Sequence, residues 1–195
     1  MQLNFPTILT LLRIALIPVL VLFFYLPFQW NGLACVIVFV TASITDLLDG
    51  YLARRTGQST SFGAFLDPVA DKLMVATALI LLIQQNPTVL FAIASAVIIG
   101  REITISALRE WMAELGESGL VKVTVFGKVK TGFQMTAISF LLYEDDIFVL
   151  PIAFLGQLLL YTAAALTLWS MYTYIIAAWP AMSTAGKPSG DDSEF

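Results

Sequence analysis

The chain contains no histidine and a single cysteine, Cys35. Without imidazole there is no Ser-His-Asp triad, no histidine general base and no histidine-bound metal. One thiol excludes an internal disulfide and any zinc cluster built from thiolates. Charge is scarce as well: Asp, Glu, Lys and Arg make up 12% of the 195 residues, and the net charge of −4 leaves no basic excess for a nucleic-acid partner. No G-x-G-x-x-G occurs, and Gly127-Lys128-Val129-Lys130-Thr131 lacks the upstream glycine of a P-loop, so a dinucleotide cofactor and a P-loop site are both unsupported. Apolar surface, by contrast, is abundant. Hydrophobic residues reach 58% and the mean hydropathy is +0.86, more than a soluble core of this length can hide, which points to an all-α, polytopic membrane protein.

Six apolar stretches set the expected organisation. Spans run from about Pro6 to Leu26, Leu33 to Arg55, Gly63 to Gln84, Val89 to Leu115, Thr131 to Tyr143 and Phe148 to Ala178. The fifth is short, so its helix is expected to begin near Thr124, and Pro68 is placed in the first turn of the third, where a missing N–H is tolerated. The first run carries Arg13 and no small-residue cleavage site follows it, so it reads as a retained span. Arg13 either snorkels to the interface or faces a polar cavity. Residues 1–182 form one membrane domain and 183–195 a polar tail expected to be disordered. In this six-helix bundle all ten Lys and Arg residues fall on the side of the connector Thr56 to Phe62, and the opposite turns have none. The positive-inside rule then puts both termini in the cytoplasm. Trp30, Tyr143, Trp169 and Trp179 read as belt or core aromatics.

Four aspartates stand out against this background. Asp46 and Asp49 are spaced i,i+3, and Asp67 and Asp71 i,i+4, so each pair shares one helix face. Carboxylates at a membrane are costly unless paired, wetted or bound to metal. Structural ion pairs with Arg54, Arg55 and Lys72 would account for one or two acids, but not for two same-face pairs with Gly50 and Gly63 beside them. Two facing pairs of hard oxygen donors suit divalent cations, Mg²⁺ or Mn²⁺ before zinc. A second group, Arg101, Arg109, Lys128 and Lys130, is either an anion pocket or a solvated rim facing anionic headgroups.

The pattern Asp46-x-x-Asp49-Gly50-x-x-Ala53-Arg54-x₈-Gly63-x-x-x-Asp67-x-x-x-Asp71 resembles the signature of the CDP-alcohol phosphotransferases, with every position present. The likeness extends through Asn4 to Arg13, Tyr51 to Arg55, Phe62 to Lys72, Arg101 to Trp111 and Gly127 to Thr131, and so covers all but the tail. It implies transfer of the phosphatidyl group from CDP-diacylglycerol to sn-glycerol 3-phosphate, giving phosphatidylglycerophosphate and CMP. It also implies two divalent ions (Mg²⁺ or Mn²⁺), a homodimer, and a multi-pass place in the bacterial inner membrane with its site on the cytoplasmic side. Carried over by position, Asp46, Asp49 and Asp67 hold one ion and Asp46, Asp67 and Asp71 the other, with Asp71 also the catalytic base. Gly50, Ala53, Arg54 and Gly63 line the CDP-diacylglycerol site. The acceptor brings its own phosphate, for which Arg101, Arg109, Lys130, Lys128 and Arg13 are the candidates.

Two other readings remain: the same family with another acceptor, of cardiolipin type or inositol phosphate, and a divalent-cation transporter. Transporters place such sites near the midplane and repeat them between halves. Here the acids cluster at one side, and the second half has no matching acidic motif. Asp71→Asn is expected to abolish turnover while substrate binding stays largely intact; substantial residual activity would remove Asp71 from the role of base.

Overall fold

The structure, a computed structural model, describes residues 5–56, 61–114, 125–145 and 150–185. Side chains are described for 7–46, 48, 63, 65–113, 130–145 and 150–176. The described residues form six helices: α1 Phe5–Tyr25, α2 Asn31–Thr56, α3 Ser61–Gln85, α4 Val89–Glu114, α5 Val125–Tyr143 and α6 Ile152–Ala185. Helices are what such a sequence must form, since in an apolar medium backbone polar groups have to be satisfied within the segment. Side-chain hydroxyls follow the same rule. Those of Ser43, Ser139 and Thr162 donate to carbonyls four residues earlier in their own helices.

Helix ends have local causes. Thr88 caps α4, its Oγ1 accepting the Phe91 N–H at 3.3 Å. At the end of α5, Glu144 takes the left-handed conformation with φ 62°, the geometry that stops a helix, and Gln85 of α3 donates to its carboxylate. α5 begins at Val125, next to the Thr124 expected. α6 continues to Ala185, past Ser183 where the polar tail was expected to begin; residues 186–195 lie outside the described ones. α3 begins at Ser61, so Pro68 lies inside the helix rather than in its first turn. The carbonyl of residue 64 therefore loses its intrahelical donor, which membrane helices tolerate where neighbours or water can replace it. That carbonyl is within one turn of Asp67, which is 39% exposed.

α1 packs on α2 and α3, α4 on α3 and α6, and α5 on α2 and α6. All six helices contribute to one core, from Leu20 through Phe39, Leu79, Phe91 and Ile138 to Leu160. A smaller cluster joins Ile105, Leu108 and Met112 of α4 to Tyr174 of α6. Large apolar side chains also point outward, among them Leu22, Ile37, Ile80, Ile93 and Phe154, as a lipid-facing surface requires. By length and composition, the segments Thr7–Tyr25, Val89–Ala113 and Ile152–Ile176 can cross a membrane. α2 adds the shorter apolar stretch Asn31–Asp46.

Lipid tails are as apolar as leucine, so the helices are drawn together by close fit rather than by exclusion from water. Among the described glycines Gly32 shows the tightest fit: a Cβ there would lie 2.6 Å from the backbone oxygen of Tyr143. Gly100 has open space. Gly32→Ala is therefore expected to lower stability by about 1–3 kcal/mol, and Gly100→Ala to raise it by up to about 1 kcal/mol through helix propensity. Melting of the two variants in detergent checks both, and a stabilised Gly32→Ala would rule out the close approach.

Candidate active site

Arg13 of α1 lies between α2 and α3 with 1% of its side chain exposed. Its Nη1 is 2.8 Å from Asp46 Oδ1 on α2 and 3.1 Å from Asp67 Oδ1 on α3. Of the two alternatives for this arginine, the structure selects the polar cavity over the interface. The pairing explains how a guanidinium tolerates that depth, because each charge meets its opposite. It also brings together two carboxylates that come from opposite halves of the aspartate motif. Asp71 follows one turn after Asp67 on α3, half-buried, and interacts electrostatically with Asp46, Asp67, Arg13 and Glu102.

The donor set matches a hard divalent ion in kind. It consists of carboxylate oxygens from two helices converging on one cationic nitrogen. Among the described residues, no three acidic side chains are gathered as closely as a ready-made metal cluster, and the side chain of Asp49 lies outside them. So do the side chains of Gly50, Ala53 and Arg54 on α2 and of Lys128 on α5; Gly63 is half-buried on α3.

A second charged network lies where α4, α5 and α6 meet. Lys130, 1% exposed, forms an ion pair with Glu102. Arg101 Nη1 is 3.4 Å from the same Glu102 Oε1, and its Nη2 donates to Ser170 Oγ on α6 at 3.1 Å. Lys130 also feels the charge of Asp71. The guanidinium carbons of Arg101 and Arg109 lie 5.7 and 5.8 Å from the centre of the Tyr174 ring. Of the basic residues expected to share one anion pocket, Arg101 and Lys130 meet at Glu102 and Arg101 and Arg109 at Tyr174, whereas Arg13 lies with Asp46 and Asp67. Sequence reasoning missed Glu102, Ser170 and Tyr174. Glu102 sits between basic residues and could have been noticed, but nothing in an apolar run marks Tyr174.

Two kinds of charge are thus gathered here: carboxylates at Asp46, Asp67 and Asp71, and basic groups at Arg101, Arg109 and Lys130. The model of the CDP-alcohol phosphatidyltransferase family matches residues 3–169. The chain belongs to that family. It is 54% identical over 178 residues to the CDP-diacylglycerol–glycerol-3-phosphate 3-phosphatidyltransferase of Sodalis glossinidius, covering 91% of this chain and 96% of that protein. The proteins of the same name from Pseudomonas fluorescens, 51% identical over 185 residues with 94% of each chain covered, and Pectobacterium atrosepticum, 54% identical over 178 residues, are similar along nearly their whole length. In this member of the family Asp46 on α2 and Asp67 on α3 are tied across the interface by Arg13 of α1.

Removing the tie exposes its worth. Arg13→Met leaves Asp46 and Asp67 facing each other without their shared cation. Because both carboxylates are about a third exposed, at 35% and 39%, the cost is expected near 1–3 kcal/mol rather than that of a fully buried pair. That corresponds to about 2–4 °C of melting temperature per kcal/mol, measured with chelator present, and Arg13→Lys should recover part of it. An unchanged melting temperature in Arg13→Met would show that the bridge does not hold these helices together.

Proposed function

We propose that the chain transfers the phosphatidyl group of CDP-diacylglycerol to sn-glycerol 3-phosphate, producing phosphatidylglycerophosphate and CMP. The observation that carries this reading is the presence of two charged groups on helices that pack together: Asp46 and Asp67 gathered by Arg13, and Arg101 and Lys130 gathered at Glu102 of α4, which packs on α3. A phosphorylated acceptor needs its phosphate held beside the metal-binding carboxylates, and this chain has cations there. A neutral acceptor would have no use for them.

In this reading, Asp46, Asp49, Asp67 and Asp71 hold two divalent ions, Mg²⁺ or Mn²⁺. When bound, such ions neutralise the diphosphate and make a neighbouring hydroxyl easier to deprotonate. Arg54, with Gly50, Ala53 and Gly63, receives the CDP moiety, and Arg13 keeps the carboxylates of α2 and α3 in register. Arg101, Arg109 and Lys130, with Lys128 beside them on α5, hold the acceptor phosphate. This directs the terminal hydroxyl of the glycerol to the phosphorus that bears the diacylglycerol. Asp71 takes the hydroxyl proton as the new O–P bond forms. The bond from that phosphorus to the bridging oxygen of CMP breaks, and CMP leaves with the electron pair. Positioning and charge neutralisation are the main protein contributions to such a transfer.

The reading places six spans in the bacterial inner membrane, with both termini and the aspartates on the cytoplasmic side and two copies forming a homodimer. The one-sided distribution of basic residues supports the orientation. The decisive assay uses purified protein in detergent with CDP-diacylglycerol and Mg²⁺, following CMP release with glycerol 3-phosphate, serine, inositol phosphate or phosphatidylglycerol as acceptor. Release is expected with glycerol 3-phosphate alone, to stop on chelation, and to be lost in Asp67→Ala. Release with a different acceptor would keep the family and overturn the substrate.

A further inference from the structure

Arg101 and Arg109 are eight residues apart on α4, so their Cα atoms stand about 12 Å apart along the helix. Their head groups nevertheless converge on one aromatic ring, at 5.7 and 5.8 Å from the centre of Tyr174. Both distances are within the range of about 6 Å over which a ring face attracts a cation. Tyr174 is 5% exposed and is packed among Ile105, Leu108 and Met112 of the same stretch of α4, so the ring has little freedom to move away. Ser170, which accepts from Arg101 Nη2, precedes Tyr174 by four residues and shares its face of α6. Both arginines retain a buried Nε–H with no acceptor among the described residues.

Two like charges gathered at one place repel each other, and an aromatic ring offsets this without consuming any N–H donor. A carboxylate in the same position would hold the arginines equally well, but it would compete with an incoming anion. We propose that Tyr174 is a positioning residue for the acceptor phosphate: its ring holds Arg101 and Arg109 together with donors still free, making a two-arginine clamp for a phosphate monoester dianion. The inference rests on the acceptor reading above and extends it to a residue of α6 outside the aspartate motif. Its chemistry is that of the ring, not of the hydroxyl.

The test compares Tyr174→Phe, which keeps the ring, with Tyr174→Leu, and with Tyr174→Met should the leucine variant fold poorly. CMP release is measured against glycerol 3-phosphate concentration at saturating CDP-diacylglycerol. Tyr174→Phe is expected to stay within about twofold of the parent. The leucine or methionine variant should raise KM for glycerol 3-phosphate roughly tenfold, equivalent to 1.4 kcal/mol, with kcat within about twofold and KM for CDP-diacylglycerol unchanged. A readout independent of turnover is the rise in melting temperature produced by inorganic phosphate, which should be present in the parent and in Tyr174→Phe and lost without the ring. An unchanged KM and phosphate effect in the ringless variants would overturn the proposal. So would a loss in Tyr174→Phe as large as in Tyr174→Leu, or a fall in kcat alone. If the unaltered protein shows no glycerol 3-phosphate-dependent release, the acceptor reading fails while the phosphate melting comparison still decides the clamp.

Discussion

A guanidinium shared by two carboxylates inside a largely apolar helix assembly is the interaction on which the arrangement of α1, α2 and α3 depends. Arg13 could not remain 1% exposed without its counter-charges, and Asp46 and Asp67 could not approach each other without a cation between them. Each charge makes the others tolerable. The result is a polar centre located by complementarity, at the one place where all three helices can satisfy it. A divalent ion would meet the same need of those carboxylates as the guanidinium does, positive charge at short range.

The same principle recurs at α4, α5 and α6 with the signs arranged differently. Glu102 meets Lys130 and lies near Arg101, while Tyr174 faces Arg101 and Arg109. Lys72 of α3 donates to Ser106 of α4. Charge among the described residues is kept in compensated groups, which lowers the cost of taking it out of water. The far end of the assembly is built otherwise. There Tyr25 donates to Gln84, Gln157 donates to Asn86 at 3.3 Å, and Gly32 lets α2 lie against the end of α5. Among the described residues, neutral amides and close backbone contact predominate at that end, with the Glu144 carboxylate accepting from Gln85.

Much of this was legible beforehand. The six apolar runs match six helices because an apolar medium leaves the backbone few other choices, and the aspartate spacing placed each pair on one face of its helix. The start of α3 was less legible. The connector looked polar enough to be a loop up to Phe62, and an interior Pro68 is a weaker stop in a membrane helix than in a soluble one. Arg13 was ambiguous because depth alone does not say which way a long side chain turns.

The sequence by itself determined helix content, the places where charge is allowed, and the residue types able to meet a diphosphate and a metal ion. All of these follow from composition and from spacings within a single helix. Only the tertiary structure decided the pairings: Arg13 with Asp67, 54 positions away, Lys130 with Glu102, 28 positions away, and Arg101 with Ser170, 69 positions away. Helical periodicity relates residues three and four apart and is silent between helices. Which charge meets which is settled when packing sets the rotation and depth of one helix against the next.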